Sequence, residues 1–237
     1  MKRSPARGVA GAVLLVLAKA PVAGLAKTRL AATVGPLLAA DMAAAALLDT
    51  LAAAAATGLT TLVAITGDIA RSQRSKQVVH ALGRCDVFEQ QGSGLGARLA
   101  HAHAEAARRC GSSGIVQIGM DTPHVQPQTL MHAAWSLDRH QAALGPAYDG
   151  GWWCLALRNP EAATALRDVP MSRPDTGTAT RAALEACGVA VSRLPTLGDV
   201  DTWDDAKAVA ATCAGRFADA VADTQALVVR RAAADPR

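Results

Sequence analysis

Short apolar segments with strand character alternate with longer, alanine-rich segments along almost the whole chain. The runs Val9–Ala18, Leu59–Thr66 and Ile115–Gly119 have the length and the continuous hydrophobicity of strands that are buried on both faces. Segments of helical character lie between them, and Gly35–Ala56 and Leu95–Cys110 are the longest of these. The alternation predicts an α/β fold with a mostly parallel central sheet, helices on both faces, and a ligand site beyond the carboxyl ends of the strands.

The remaining segments continue the pattern with shorter elements. Further strands are expected at Asp86–Glu89, Ala142–Ala147, Trp152–Leu157 and Val189–Leu194. Further helices are expected up to Leu82, over Pro127–His140, within Pro160–Gly188, and over Trp203–Ala214 and Arg216–Ala234. Because no linker or repeat interrupts the chain, we expect one domain over residues 1–212, with a helical extension over 213–237 packed on it.

Composition narrows the class of partner. The chain has 237 residues, of which 51% are hydrophobic, and its net charge is only +4. Aromatic residues make up 3% and are not interleaved with basic ones, so we expect no nucleic-acid partner. The long apolar run over 37–56 is mostly alanine and contains Asp41, Asp49 and Thr50, so we expect no membrane span. An anionic small molecule is the expected ligand.

Cysteine usage and the first residues bear on the compartment. The 5 cysteines are scattered without CxxC spacing, which argues against a disulfide framework and against a zinc site. Lys2, Arg3 and Arg7 before an apolar run resemble a signal peptide, but cleavage there would remove the first expected strand. The expected location is therefore the cytoplasm.

A basic loop follows the first strand. It contains Lys19, Gly24, Lys27 and Arg29, and backbone N–H groups together with such cations commonly bind phosphates. It is not a P-loop, because that motif requires glycine where the chain has Ala26. The pattern favours a phosphate-bearing substrate, and a solvated basic loop is the alternative.

Two acidic segments are candidate metal sites. Asp121 directly follows a buried strand, where a single carboxylate suits Mg²⁺ or Mn²⁺ whose coordination is completed by phosphates. The alternative is an aspartate that caps the loop or the next helix. Asp199 and Asp201 alternate in an extended segment and so point to the same side. Asp201 or Thr202 could instead cap the next helix, which leaves one of Asp199 and Asp201 as a second metal ligand.

The segment from Gly145 to Trp153 has two interpretations. Asp149-Gly150 is a common turn dipeptide, so the segment could be a simple hairpin. Paired glycines followed by two tryptophans would also suit a loop that approaches a ligand closely.

Five motifs in order resemble a known bacterial family. They are Lys-x-Pro-x-x-Gly-x-x-Lys-Thr-Arg-Leu, Gln-Gly-x-x-Leu-Gly-x-Arg-Leu, Gly-x-Asp-x-Pro, Gly-Pro-Ala-x-Asp-Gly-Gly and Asp-Val-Asp-Thr. The chain resembles GT-A-type glycosyltransferase-like proteins of the nucleotide-diphospho-sugar transferase superfamily, including relatives associated with arsenosugar biosynthesis. The resemblance implies a single GT-A-like, Rossmann-like domain.

The resemblance also implies roles for particular residues. Lys19, Lys27 and Arg29, with Gly24, would line the nucleotide phosphates, and Gln91, Gly92 and Arg98 would shape the nucleotide pocket. Asp121 would bind Mg²⁺ or Mn²⁺ with Asp199 or Asp201. Asp149, with Gly150 and Gly151, would face the second substrate. The chain departs from the family pattern at Trp152-Trp153-Cys154, and this departure affects the expected acceptor but not the expected fold.

Three functions follow from this resemblance and from the residues. The first is a metal-dependent glycosyltransferase that uses a nucleotide sugar and a small-molecule acceptor, with Lys27, Arg29 and Asp149 in catalysis. The second is a nucleotidyltransferase that uses a nucleoside triphosphate and releases pyrophosphate, as in the distantly similar phospholactate guanylyltransferases. The third is a nucleotide-binding module without catalysis. The alanine-rich terminal helix could also pack on a second copy of the chain.

Overall fold

The computed structural model describes residues 11–111 and 114–234, with side chains described up to residue 230. Val9 and Ala10, the first residues of the expected first strand, lie outside this range. The strands are β1 (Ala12–Lys19), β2 (Thr61–Thr66), β3 (Asp86–Glu89), β4 (Gly114–Gly119), β5 (Ala142–Pro146), β6 (Trp152–Leu157) and β7 (Val191–Arg193).

The α-helices are α1 (Thr28–Val34), α2 (Pro36–Ala56), α3 (Ser75–Leu82), α4 (Leu95–Cys110), α5 (Pro127–Ser136), α6 (Thr176–Ala186), α7 (Trp203–Ala210) and α8 (Arg216–Ala234). Two 3₁₀ helices, Ile69–Arg71 and Pro160–Asp168, complete the regular structure of the described residues.

The strands form one sheet of 7 strands in the order β3-β2-β1-β4-β6-β5-β7. Every neighbouring pair is parallel except the two pairs that contain β6, which runs antiparallel to β4 and to β5. This confirms the α/β class with a mostly parallel sheet. The chain leaves β1 towards β2 on one side and returns to β4 on the other side. The carboxyl ends of β1 and β4 therefore flank a switch point, where open α/β sheets bind ligands.

Both faces of the sheet are covered. Leu14 and Val16 of β1 pack on one face with α2, and Leu15 and Leu17 pack on the other face with Leu99 of α4. This alternation follows from the period of two along a strand. The continuous apolar runs in the sequence arise because each strand buries side chains on both faces.

Helix α2 explains the longest apolar run of the chain. By length and composition α2 could cross a bilayer, but 67% of its most apolar window is buried inside the domain. Its alanines let α2 lie close to the sheet, while Met42 packs with Phe217 of α8 on the side away from the sheet. Burial among protein side chains therefore accounts for the apolar character of α2.

The described elements differ from the sequence expectation in several places: β7 is shorter than Val189–Leu194, and α7 ends at Ala210 rather than at Ala214. Helix α1 was not expected, because it is short and its preceding residue, Lys27, makes no side-chain cap. Helix α5 ends at Ser136 rather than at His140, and hydrogen-bonded turns follow it. The start of α1 matters for function because it fixes the backbone at Lys27.

Candidate active site

A cleft of about 770 Å³ lies at the carboxyl ends of β1 and β4. Its floor includes apolar side chains such as Leu17 and Leu99, and its walls carry most of the charged residues that the sequence singled out. The basic residues that line it are Lys19, Lys27, Arg29, Arg98 and Arg173, and the acidic ones are Asp121, Asp149, Asp199 and Asp201.

A second groove, of about 850 Å³, lies between α2 and α3 at the amino ends of β2 and β3. Exposed cations, among them Lys76 and Arg84, line it above apolar residues of α2. We place the candidate site in the first cleft, because its acidic residues and the basic loop after β1 meet there.

Asp121 is held at the end of β4 by a close backbone arrangement. A Cβ atom at position 119 would lie 2.5 Å from Asp121 Oδ1, so glycine lets this carboxylate fold back over the strand end, and a larger residue would make it shift. The nearby helix α5 is preceded by Gln126, not by Asp121. The capping alternative for Asp121 is therefore wrong for α5, and its carboxylate remains available in the cleft.

Asp199 and Asp201 reach the same place from the segment after β7. The Val200 N–H donates to the Asp121 carbonyl oxygen at 3.2 Å, which joins the two segments directly. Val200 is buried on one side, and its two neighbours point to the other. One carboxylate oxygen from each of Asp121, Asp199 and Asp201 lies within 4.8 Å of the other two.

Helix α7 is capped by other residues. Thr202 is its N-cap, and the Thr202 Oγ1 accepts a hydrogen bond from the Asp205 N–H at 3.2 Å. Asp205 Oδ2 in turn accepts from the Thr202 N–H at 2.8 Å. This capping box satisfies the first turn of α7 without the side chain of Asp199 or Asp201.

Lys27, in the basic loop after β1, contacts two carboxylates of the acidic cluster Asp121, Asp199 and Asp201. Its Nζ donates to Asp121 Oδ2 at 2.8 Å and to Asp201 Oδ1 at 3.0 Å. The Arg29 Nη1 lies 3.4 Å from Asp201 Oδ2. Lys27 itself has φ of 49° and ψ of 53°, a left-handed backbone that costs free energy in a non-glycine residue. Such strain is common at functional sites.

The charges of this cluster are strongly coupled. Burial tends to lower the pKa of Lys27, but the negative charges of Asp121 and Asp201 and the hydrogen bonds to them raise it above its ordinary value. Burial tends to raise the pKa of Asp121, and the Lys27 ammonium overrides this and lowers it. Asp199 differs: burial, and then the negative charges of Asp149, Asp121 and Asp201, raise its pKa to about 6.

These residues fit a divalent cation. Three carboxylates offer the oxygen ligands that Mg²⁺ and Mn²⁺ prefer, and the Lys27 ammonium is a cation already held between two of them. Thr122 Oγ1, which is buried and lines the same cleft, has no hydrogen-bond partner within the described part of the chain. The three carboxylates can therefore serve as metal ligands, with room in the cleft for phosphate oxygens.

Gln90 lines the cleft, although the sequence pointed to Gln91, which is exposed and lies outside the lining. The Gln90 Nε2 donates to the carbonyl oxygens of Ala18 at 2.8 Å and Ala64 at 2.9 Å. These bonds fix the amide across the ends of β1 and β2. Gln90 could have been found from its position, because it directly follows β3 and precedes the motif that begins at Gln91.

The turn between β5 and β6 forms a further part of the cleft wall. The pairing of the two strands confirms the hairpin, and Asp149 and Gly151 also line the cleft. Asp149 Oδ1 accepts from the Gly151 N–H at 2.8 Å. A Cβ atom at Gly150 would overlap the carbonyl group of Pro174, so this turn packs tightly on the loop before α6. The hairpin interpretation is therefore confirmed, and close approach of this loop to a ligand stays a prediction.

The two tryptophans of β6 have different environments. The Trp153 Nε1 donates to the Pro195 carbonyl oxygen at 2.9 Å, and this ring is buried. Trp152 is partly exposed, and its Nε1 donates to Thr180 Oγ1 at 3.1 Å. Of the other expected site residues, Gly24, Gly92 and Gly150 are not among those that line the cleft.

A bacterial family model described as "Uncharacterized protein conserved in bacteria (DUF2064)" matches residues 47–173, more than half of the chain. The chain belongs to the DUF2064 family. In this DUF2064 protein the matched range includes Asp121 and Asp149, while Lys27, Asp199 and Asp201 complete the site from either side of it. No curated protein matches the sequence.

Solved structures share the fold of this DUF2064 protein. A candidate nucleotide-diphospho-sugar transferase from Desulfovibrio desulfuricans is 24% identical with a TM-score of 0.81, over 92% of this chain and 97% of that one. A CMP:2-keto-3-deoxy-manno-octonic acid synthetase in complex with CTP is 13% identical with a TM-score of 0.51, over 84% and 96%.

A Mycobacterium tuberculosis protein in complex with manganese is 21% identical to this DUF2064 protein with a TM-score of 0.50, over 84% and 97%. Nucleotidyltransferases are among the further matches. The likenesses establish a GT-A-like fold, in agreement with the sequence expectation.

Gly119 of this DUF2064 protein offers a direct test of the acidic cluster. We expect Gly119→Ala to push the Asp121 carboxylate away from Asp199 and Asp201 and to weaken Mn²⁺ binding about tenfold, as displacement of a metal ligand typically does. Titration calorimetry with Mn²⁺ measures this. Gly83→Ala is the matched control, because a Cβ atom there meets only ordinary contacts. An unchanged Mn²⁺ affinity in Gly119→Ala would contradict the assignment of Asp121.

Proposed function

We propose that this protein is a metal-dependent transferase that uses a nucleotide-activated donor, and that the group it transfers is a sugar. The observation that carries the proposal is the convergence of Asp121, Asp199 and Asp201 with Lys27 and Arg29 at the switch point of the sheet. Acids that suit a metal, beside cations that suit phosphates, are the groups that a ligand with metal-bound phosphates requires.

The basic residues would act on the leaving group. When the bond from the sugar to the diphosphate breaks, negative charge develops on the nucleoside diphosphate. Lys27, Arg29 and Lys19 line one side of the cleft and would neutralise this charge at fixed positions. A divalent metal held by the three carboxylates would stabilise the same charge as a Lewis acid. Positioning and electrostatics therefore supply most of the catalysis.

Asp149 would act on the acceptor. It lines the cleft together with the acidic cluster, and its hydrogen bond to the Gly151 N–H fixes the orientation of its carboxylate. From there it would orient the acceptor hydroxyl group or accept its proton. Trp152, which lines the same wall, offers an apolar face for the acceptor. The acceptor is therefore proposed to be a small molecule that carries a hydroxyl group.

The full-length likeness to the candidate nucleotide-diphospho-sugar transferase supports sugar transfer. The second candidate is nucleotidyl transfer, which the likeness to the CTP-bound synthetase and to nucleotidyltransferases supports. In that reaction the same cations would bind a nucleoside triphosphate, and pyrophosphate would leave.

A thermal-shift screen of nucleotide sugars and nucleoside triphosphates, each with and without Mn²⁺, tests the proposal. A ligand present at 100 times its Kd stabilises the folded state by about 2.7 kcal/mol, which raises Tm by roughly 5–10 °C for a domain of this size. The ligand found is then incubated with acceptors. Release of nucleoside diphosphate without pyrophosphate supports sugar transfer, and pyrophosphate release supports nucleotidyl transfer. Stabilisation without turnover on any acceptor would favour a binding module.

A further inference from the structure

The Lys27 ammonium lies where a metal ion held by Asp121 and Asp201 would lie. It is within 3.0 Å of an oxygen of each carboxylate, and only 13% of the Lys27 side chain is exposed. Two carboxylates at this distance need a cation between them, because otherwise their charges repel at close range in a partly buried site. In the free protein Lys27 supplies that cation.

A divalent metal cannot join this arrangement unchanged. Bound by Asp121 and Asp201, it would lie within a few ångströms of the Lys27 ammonium, and two like charges at such a distance repel strongly. Asp199 is also in the cluster and makes no ion pair within the described residues, so the cluster has ligand capacity that Lys27 leaves unused. Thr122 Oγ1, buried and without a partner in the described chain, lines the same cleft.

The Lys27 side chain can move from the carboxylates to another part of the cleft. Its flexible four-carbon side chain can move its charge while the left-handed backbone stays fixed at the start of α1. The cleft that receives it is also lined by Lys19 and Arg29, and 72% of the Arg29 side chain is exposed. Phosphate groups of a nucleotide in this cleft would give the ammonium a new partner.

We propose that Lys27 and the divalent metal compete for Asp121 and Asp201, and that the nucleotide phosphates draw Lys27 away, so that metal and nucleotide bind cooperatively. The inference rests on the proposed function in one respect, namely that the three acids bind a metal. Lys27 then has two successive partners, first the carboxylates and then the phosphates, and it couples the binding of metal to the binding of nucleotide. By linkage, each ligand then raises the affinity of the protein for the other by the same factor.

The test measures Mn²⁺ binding to the nucleotide-free protein by electron paramagnetic resonance. We expect weak binding in wild type and binding tighter by at least about tenfold in Lys27→Met, within the usual range of coupling between sites. Lys27→Arg keeps the competing charge and should bind Mn²⁺ as weakly as wild type. Lys19→Met is the matched control: it removes a cation from the same cleft that makes no ion pair with the acids in the described structure.

Lys27→Gln covers the case in which Lys27→Met folds poorly. Its amide can still donate to Asp121 but carries no charge, so its Mn²⁺ affinity should also rise. The nucleoside diphosphates UDP, GDP, CDP and ADP are then added in turn. Each one that binds should raise the Mn²⁺ affinity of wild type more than that of Lys27→Gln. Equal Mn²⁺ affinity of wild type, Lys27→Met and Lys27→Gln without nucleotide would overturn the inference and leave the proposed function intact. Absence of Mn²⁺ binding in every variant, with or without nucleotide, would overturn both.

Discussion

Asp121→Asn is expected to lower metal-dependent turnover on the order of 10³-fold, which corresponds to about 4 kcal/mol of transition-state stabilisation. The change removes one negative charge and one strong metal ligand while it keeps the shape of the side chain. Asp199 and Asp201 are not expected to replace it, because each already offers its own oxygen to the cluster. Steady-state kinetics at saturating Mn²⁺ with the donor found in the screen measures the effect.

Asp204→Asn is the control for this substitution. It makes the same chemical change in the first turn of α7, where 90% of the Asp204 side chain is exposed and its carboxylate pairs with Lys207. Turnover of this variant should equal that of wild type. If Asp121→Asn kept full metal-dependent turnover, Asp121 would not be the metal ligand. If Asp121→Asn bound nucleotide as wild type does and neither form turned over, the protein would be a binding module.

A pH-dependent loss of stability of about 3 kcal/mol is expected from His103. This side chain of α4 is fully buried below the cleft, beside Gln117 of β4. Burial lowers its pKa from 6.5 to about 4, and the nearby Gln117 amide offsets only part of this. Neither ring nitrogen makes a hydrogen bond of good geometry within the described chain. The neutral imidazole is therefore the form that the folded state accommodates.

The direction of the effect follows from the two pKa values. Above pH 6.5 the ring is neutral in both states, so the free energy of unfolding contains no penalty from His103. Between pH 6.5 and pH 4 the unfolded chain binds a proton that the folded protein does not, which lowers the free energy of unfolding by about 1.4 kcal/mol per pH unit. Below pH 4 this contribution levels off.

Urea unfolding of wild type and His103→Leu over pH 4–7 isolates this contribution as a difference. The difference is needed because Asp199, with its pKa raised to about 6, acts in the opposite direction: its folded state gains protons, and so stability, as pH falls. His103→Leu should lose most of the acid-dependent decrease. His132→Gln changes an exposed histidine of α5 and should keep the wild-type profile. Parallel profiles for wild type and His103→Leu would show that burial does not shift the pKa of His103.

Much of the fold could be predicted because its signals are local. β3, β6, α4 and α8 begin and end where the sequence indicated, since apolar periodicity and turn residues act over a few neighbouring positions. Helix α1 could not be predicted in this way, because its Leu30 and Val34 are buried against elements distant in sequence. The antiparallel direction of β6 was foreseeable from the short turn that joins it to β5.

The residues of the candidate site could be predicted from the sequence better than the contacts between them. Asp121 and the Asp199–Asp201 pair were recognisable because each follows an expected strand, and carboxyl ends of parallel strands meet at one edge. Gln90 was missed in favour of its neighbour, because one position along an extended segment changes the side to which a side chain points. Which of two adjacent residues faces the cleft depends on hydrogen bonds to β1 and β2.

Hydrophobic period and chemical type are properties of short segments, so the α/β class, the basic loop after the first strand and the acids at strand ends could all be inferred from the sequence. The position of Lys27 between Asp121 and Asp201, which are 94 and 174 positions away along the chain, arises from the folding of the whole domain. That contact depends on the order of the strands, and on the bond from Val200 to Asp121, which brings the last acidic segment to the end of β4. The physical reason is that Coulombic interactions act over a few ångströms of space, whatever the separation in sequence.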